Sequence, residues 1–83
     1  MMKSQELRKL LERRGLHPDQ VRTRDGAFEV RRTYFYRHGR SAEDWAEQVA
    51  QSLPAPLKVV GSRDDYAAWP RDSYFTAVVK EVP

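Results

Sequence analysis

Cysteine is absent from the 83 residues, and with it go disulfides, thiolate nucleophiles and every zinc site that needs a cysteine. Packing and polar contacts must hold the chain. Glycine is scarce, with 4 residues, and no G-x-x-x-x-G-K-S/T, G-x-G-x-x-G or G-x-S-x-G pattern occurs. Neither a phosphate-cradling loop nor a nucleophile elbow is encoded. Histidine occurs only as His17 and His38, without H-x-x-x-H spacing, so no metal site is expected. Long apolar runs are missing too, and the start "MMKSQELRKL" carries no signal-peptide core. A cytoplasmic protein without cofactor, metal or membrane contact is the expectation.

What is present suits one small domain spanning residues 1–83. A chain of this length buries only about 60% of its unfolded surface, too little to wall a deep two-domain cleft. Hydrophobic residues make up 40% and charged residues 33%, enough for a small core inside a heavily charged exterior. Net charge is +3, unevenly spread: residues 1–40 hold 11 Lys and Arg against 5 Asp and Glu, and residues 41–83 hold 4 against 7. Such a basic half attracts phosphate or an acidic partner. Halves of opposite sign also favour a homo-oligomer, each basic half near a partner's acidic one.

"SQELRKLLERRGLHP" predicts a short helix, with Leu7, Leu10 and Leu11 as its stripe, Ser4 as N-cap and Gly15 just past the C-cap. Arg8, Lys9, Arg13 and Arg14 then form a basic outer face. "QVRTRDGAFEV" predicts a hairpin, because Asp25-Gly26 suits a two-residue type I′ turn between alternating strands. That register sets Arg22 opposite Glu29 and Val21 opposite Val30. Val21, Thr23, Phe28 and Val30 face the core, and Arg22, Arg24, Glu29 and Arg31 face away.

Beyond Val30 the alternation weakens. Either a bulge near Arg31-Arg32 turns Phe35 inward, or the strand outruns the core and its tyrosines line a rim. "SAEDWAEQVAQSLP" predicts a second helix, capped by Ser41 and stopped by Pro54, with Ala42, Trp45, Ala46, Val49, Ala50 and Leu53 as its stripe. "LKVV" reads as a short strand and "GSRDDYAAWPRD" as a loop. "SYFTAVVKEV" reads as a last strand with Phe75, Ala77 and Val79 inward. The order α-β-β-α-β-β predicts a two-layer α+β fold, with two helices on a four-stranded, mostly antiparallel sheet.

"YFYRHGR", residues 34–40, raises the sharpest functional question. His38 between Arg37 and Arg40 has the makings of a general base on RNA, but no second acid or base is placed beside it, so an enzyme is not expected. Arginine grips phosphate through a planar fork and stacks on bases, and tyrosine adds a stacking face. The candidate ligand-binding residues are Arg22, Arg24, Arg31, Arg32, Tyr34, Tyr36, Arg37, His38 and Arg40. Trp69 joins them as a rim aromatic that stacks on a base or instead plugs the core. A non-catalytic binder of a nucleotide-type anion, either a nucleotide signal or a nucleic acid, is the leading expectation. A small inhibitor using the same residues as hot spots on a host protein is the alternative.

"YFYRHG", a helix ending in "LP" and "WPRDSYF" before a final strand resemble a group of short bacteriophage and prophage proteins, from about Val21 to the end. The resemblance implies a mobile-element protein in the host cell cytoplasm: a nucleic-acid binder, an inhibitor of a host or defence enzyme, or a protein that sequesters a nucleotide immune signal. It carries over no functional residue.

Overall fold

The computed structural model describes residues 2–33, 41–68 and 73–82. The elements are α1 (Ser4–Arg13), β1 (Gln20–Arg24), β2 (Ala27–Thr33), α2 (Ala42–Ser52), β3 (Leu57–Asp65) and β4 (Tyr74–Glu81). This is the expected order, and the fold is α+β. Asp25 and Gly26 take left-handed backbone, φ 52° and 77°, as a type I′ turn requires. That turn pairs Arg22 with Glu29 and Val21 with Val30.

Both hairpins join through β2 and β4, giving an antiparallel sheet in the order β1-β2-β4-β3. Each α-β-β half therefore places its second strand centrally and its first at an edge. One sheet face carries the core: Phe28, Val30, Phe75, Ala77 and Val79 meet Leu7 and Leu11 of α1 and Trp45, Ala46 and Val49 of α2. Trp45 is buried, and its indole Nε1–H donates to the Val30 carbonyl at 3.0 Å, so its one polar atom is satisfied where water is excluded.

The helix ends are chemically explicit. Ser41 Oγ accepts from the Asp44 N–H and Asp44 Oδ2 from the Ser41 N–H, each at 3.2 Å, a reciprocal capping box. Gly15, φ 84°, follows the C-cap of α1. Arg8 donates to the Pro18 and Asp19 carbonyls at 3.0 and 3.1 Å, and Arg14 to the Ser52 carbonyl at 3.1 Å. Two arginines of the expected basic outer face are thus ties, one closing the α1–β1 connection and one satisfying the end of α2.

Several expectations need correction. The N-cap of α1 is Lys3 rather than Ser4; Glu6 Oε1 accepts its N–H at 3.3 Å, which starts the helix one residue early. Ala50 is exposed, because at 3.6 residues per turn it stands about 80° from the centre of the α2 stripe. Thr23 points to the helix side yet is exposed, since the end of edge strand β1 has no helix over it. Residues 61–65, expected as loop, belong to β3. Pairing of β2 runs unbroken to Thr33, so no bulge occurs at Arg31-Arg32. The register shift lies instead between Val59 and Gly61 of β3. Phe35 falls outside the described residues.

Candidate anion-binding face

The sheet face opposite the helices is built by the same alternation that builds the core. Register places Gln20, Arg22 and Arg24 of β1 on it, then Ala27, Glu29, Arg31 and Thr33 of β2. Tyr74, Thr76, Val78 and Lys80 of β4 join them, with Lys58, Gly61, Arg63 and Asp65 of β3. Arg22, Arg24, Arg31, Lys58, Arg63 and Lys80 are its cations, and Glu29 and Asp65 its only carboxylates among the described strand residues.

A continuous polar network crosses the middle of this face. Glu29, only 4% exposed, accepts from Arg22 Nε at 2.5 Å through Oε1 and from Arg63 Nη2 through Oε2. Arg63 Nε also donates to Asp65 Oδ1 at 2.7 Å. Asp65 Oδ2 accepts from the Thr76 hydroxyl at 2.6 Å and from Arg31 Nη2 at 3.4 Å. Arg31 in turn donates to Gln20 Oε1 at 2.8 Å and lies over the Tyr74 ring, 3.9 Å from its centroid. Arg22 and Arg63 each engage one oxygen of the carboxylate between them, and Glu29 is buried on a face that no helix covers.

Both carboxylates are held ionised. Burial would push the Glu29 carboxyl up, but the hydrogen bonds and charges of Arg63 and Arg22 outweigh it and hold it below the usual carboxylate range. At Asp65 burial is likewise outweighed, by hydrogen bonds from Arg63 and Thr76 and the charges of Arg63 and Arg31. Hydrogen bonds to Asp65 and Glu29 push the Arg63 guanidinium up. Every charge in the network therefore has partners, and its members act as scaffold.

The cations at the hairpin end of the same face are different. Arg24 pairs with Ala27, and Lys58 pairs directly with Lys80. Extending the β2–β4 register by one residue sets Ala27 beside Lys80. Arg24, Ala27, Lys80 and Lys58 thus form one row across four strands. Arg24 is 60% exposed, with only a long 3.8 Å contact to the exposed Asp25. Like charges directly opposed across a ladder destabilise it, and among the described residues neither Lys58 nor Lys80 forms an ion pair that would offset this. A depression of about 400 Å³ opens beside this row, lined by Arg24, Asp25, Ala27, Glu29, Arg63, Val78 and Lys80.

Of the sequence-derived candidates, Arg22, Arg24 and Arg31 share this face, and Arg22 and Arg31 are committed to the network. Arg32 is separated from them by the sheet: it lies on the helix side, 5.5 Å from the Trp45 ring centroid. Tyr34, Tyr36, Arg37, His38, Arg40 and Trp69 lie outside the described residues. Sequence reasoning missed Lys58, Arg63, Asp65 and Lys80, and it placed Glu29 correctly without seeing its burial. The missing signal was hydrophobic alternation, since "GSRDD" has none on either face. Among the described residues no three or more His, Asp or Glu side chains are grouped to hold a metal ion, and no helix is long and apolar enough to cross a membrane. Compared with family models, curated proteins and solved structures, the chain matches none.

Proposed function

We propose that the protein is a non-catalytic binder of a nucleotide-type anion and that the open sheet face receives the phosphate. The observation that carries this reading is the row Arg24, Lys80 and Lys58 beside a depression, positive charge that, among the described residues, only the exposed Asp25, 3.8 Å from Arg24, offsets by an ion pair. A bound phosphate would relieve the repulsion between the paired lysines and take charge-assisted hydrogen bonds from all three side chains. Small Ala27 at the centre of the row lets an anion approach the sheet. Behind it, the Glu29 and Asp65 network holds Arg22 and Arg63 in place, so the receiving surface is set before the ligand arrives. Full use of both carboxylates as hydrogen-bond acceptors for arginine supports binding rather than proton transfer. In a mobile-element protein, which the resemblance implies, such a site serves sequestration of a nucleotide signal or contact with nucleic acid.

Calorimetric titration of the intact protein with nucleoside phosphates, cyclic nucleotides and short oligonucleotides tests this. Lys80→Ala should weaken binding about tenfold, the worth of one charge-assisted contact of roughly 1.5 kcal/mol, with little change in unfolding temperature. Failure of the wild type to bind any of them overturns the reading and leaves the same face as a protein contact.

A further inference from the structure

The depression beside the cation row is shallow, but it is not the largest hollow. One of about 810 Å³ lies at the end of the sheet, between the first turn of α1 and the β1–β2 turn. Asp25, Ala27 and Lys80 line both, so the hollow and the phosphate-receiving depression adjoin around the same residues. Their chemistry differs. Met2, Ala27 and Phe28 give the hollow an apolar floor, and its charged rim is balanced, with Lys3 and Lys80 against Asp25 and Glu81. Around the depression Arg24, Arg63 and Lys80 outnumber Asp25 and Glu29, and Lys58 stands beside Lys80 in the row.

An apolar body next to an anion is the shape of a nucleoside phosphate. We infer that the ligand is a nucleoside phosphate whose base enters this hollow while its phosphates lie on the Arg24–Lys80–Lys58 row. This rests on the anion-binding reading and narrows it to a small ligand. The hollow falls in the size range of small-molecule pockets, about 300 to 1,000 Å³. Asp25 and Glu81 at the rim accept hydrogen bonds, which fits the hydroxyl and amino donors of a nucleoside, whereas the excess of cations along the row fits its phosphates. A polymer has no need of the hollow, because a charged face alone serves it.

The test compares a nucleoside diphosphate, inorganic pyrophosphate and a hexanucleotide as ligands of the intact protein by calorimetry. The nucleoside diphosphate should bind about tenfold or more tightly than pyrophosphate, which carries the same number of phosphates, the nucleoside supplying roughly 1.4 kcal/mol or more. Thr23→Trp, a strand-compatible change at the exposed rim, should erase that advantage and leave pyrophosphate affinity unchanged. Met2→Ala, on the opposite wall, should reduce the same advantage less, and it keeps the test valid if Thr23→Trp lowers the unfolding temperature. Lys80→Ala should weaken both ligands. Equal affinity for pyrophosphate and the diphosphate, or an advantage that survives both hollow variants, overturns the base site while leaving anion binding standing. Binding of the hexanucleotide alone overturns it in favour of a polymer. Binding of none of the three overturns both readings.

Discussion

The two faces of the sheet use the same alternation and arrive at different kinds of order. On the helix side, apolar residues from six elements interlock and exclude water, and the exposed polar ends of that layer are few. On the open side, Glu29 is as buried as Phe28, at 4% and 7% exposure, yet what meets it is a pair of arginine guanidiniums and what satisfies it is charge. The first face is held by the removal of apolar area, which is non-directional and offers no charge for salt to screen. The second is held by directed ion pairs whose outer partners, Arg22 and Arg63, are 37% and 38% exposed and are therefore screened. Stability belongs mainly to the covered face. Specificity of charge placement belongs to the open one.

The strongest way to break this contrast is at Trp45. Trp45→Ala removes the buried indole of α2 from the sheet together with its bond to the Val30 carbonyl; a loss of about 3 to 5 kcal/mol is expected in denaturant unfolding. That loss should be the same at low and high salt.

Glu29→Gln should cost less, about 1 to 3 kcal/mol, because its arginine partners can turn toward water, and the cost should shrink as salt rises. It should also alter the pH profile. The carboxyls of Glu29 and Asp65 titrate below their usual range when folded, so the unfolded chain binds protons first. Their stabilisation is fully present above about pH 5, and it is lost as pH falls through the ordinary carboxylate range of about 3.9 to 4.3 and on through the lower folded values. Unfolding free energy measured from pH 7 to pH 3 should fall less steeply in Glu29→Gln than in the wild type.

Gly26→Val tests the turn that assigns residues to faces. No atom lies within 4 Å of a Cβ built at Gly26, and its φ is +77°, so the expected loss of about 1 to 2 kcal/mol is backbone strain alone. A thermal melt unchanged from wild type would refute the left-handed turn.

The smallest expected effect has the opposite sign. Lys58→Ala should stabilise by a few tenths of a kcal/mol, by removing a like-charge cross-strand pair, while weakening anion binding. Loss of both stability and binding would mean that the row is structural.

Much of the covered face was legible in the sequence because its signals are local. Asp25-Gly26 between alternating residues sets a register within five residues on either side, and Ser41 with Asp44 marks a helix start within one turn. Phe75, Ala77 and Val79 alternate plainly enough to face inward whatever their neighbours. Of the candidate site, Arg22, Arg24 and Arg31 were readable on one face for the same reason, as members of the hairpin.

The remainder required tertiary structure. Residues 61–65 carry turn-forming chemistry and no apolar period, and they form a strand only because β4 offers a pairing edge and Glu29, Arg31 and Thr76 offer partners to Arg63 and Asp65. Lys58 and Lys80 are ordinary exposed lysines until the β3–β4 ladder sets them side by side, and Arg24 joins them only through the central β2–β4 pairing. By itself the sequence determined which elements form and which way their side chains alternate, since backbone geometry and turn preference act over a few residues. Which charges became neighbours was decided by strand order, because pairing between distant segments is selected by the fit of the whole sheet rather than by any one strand's own residues.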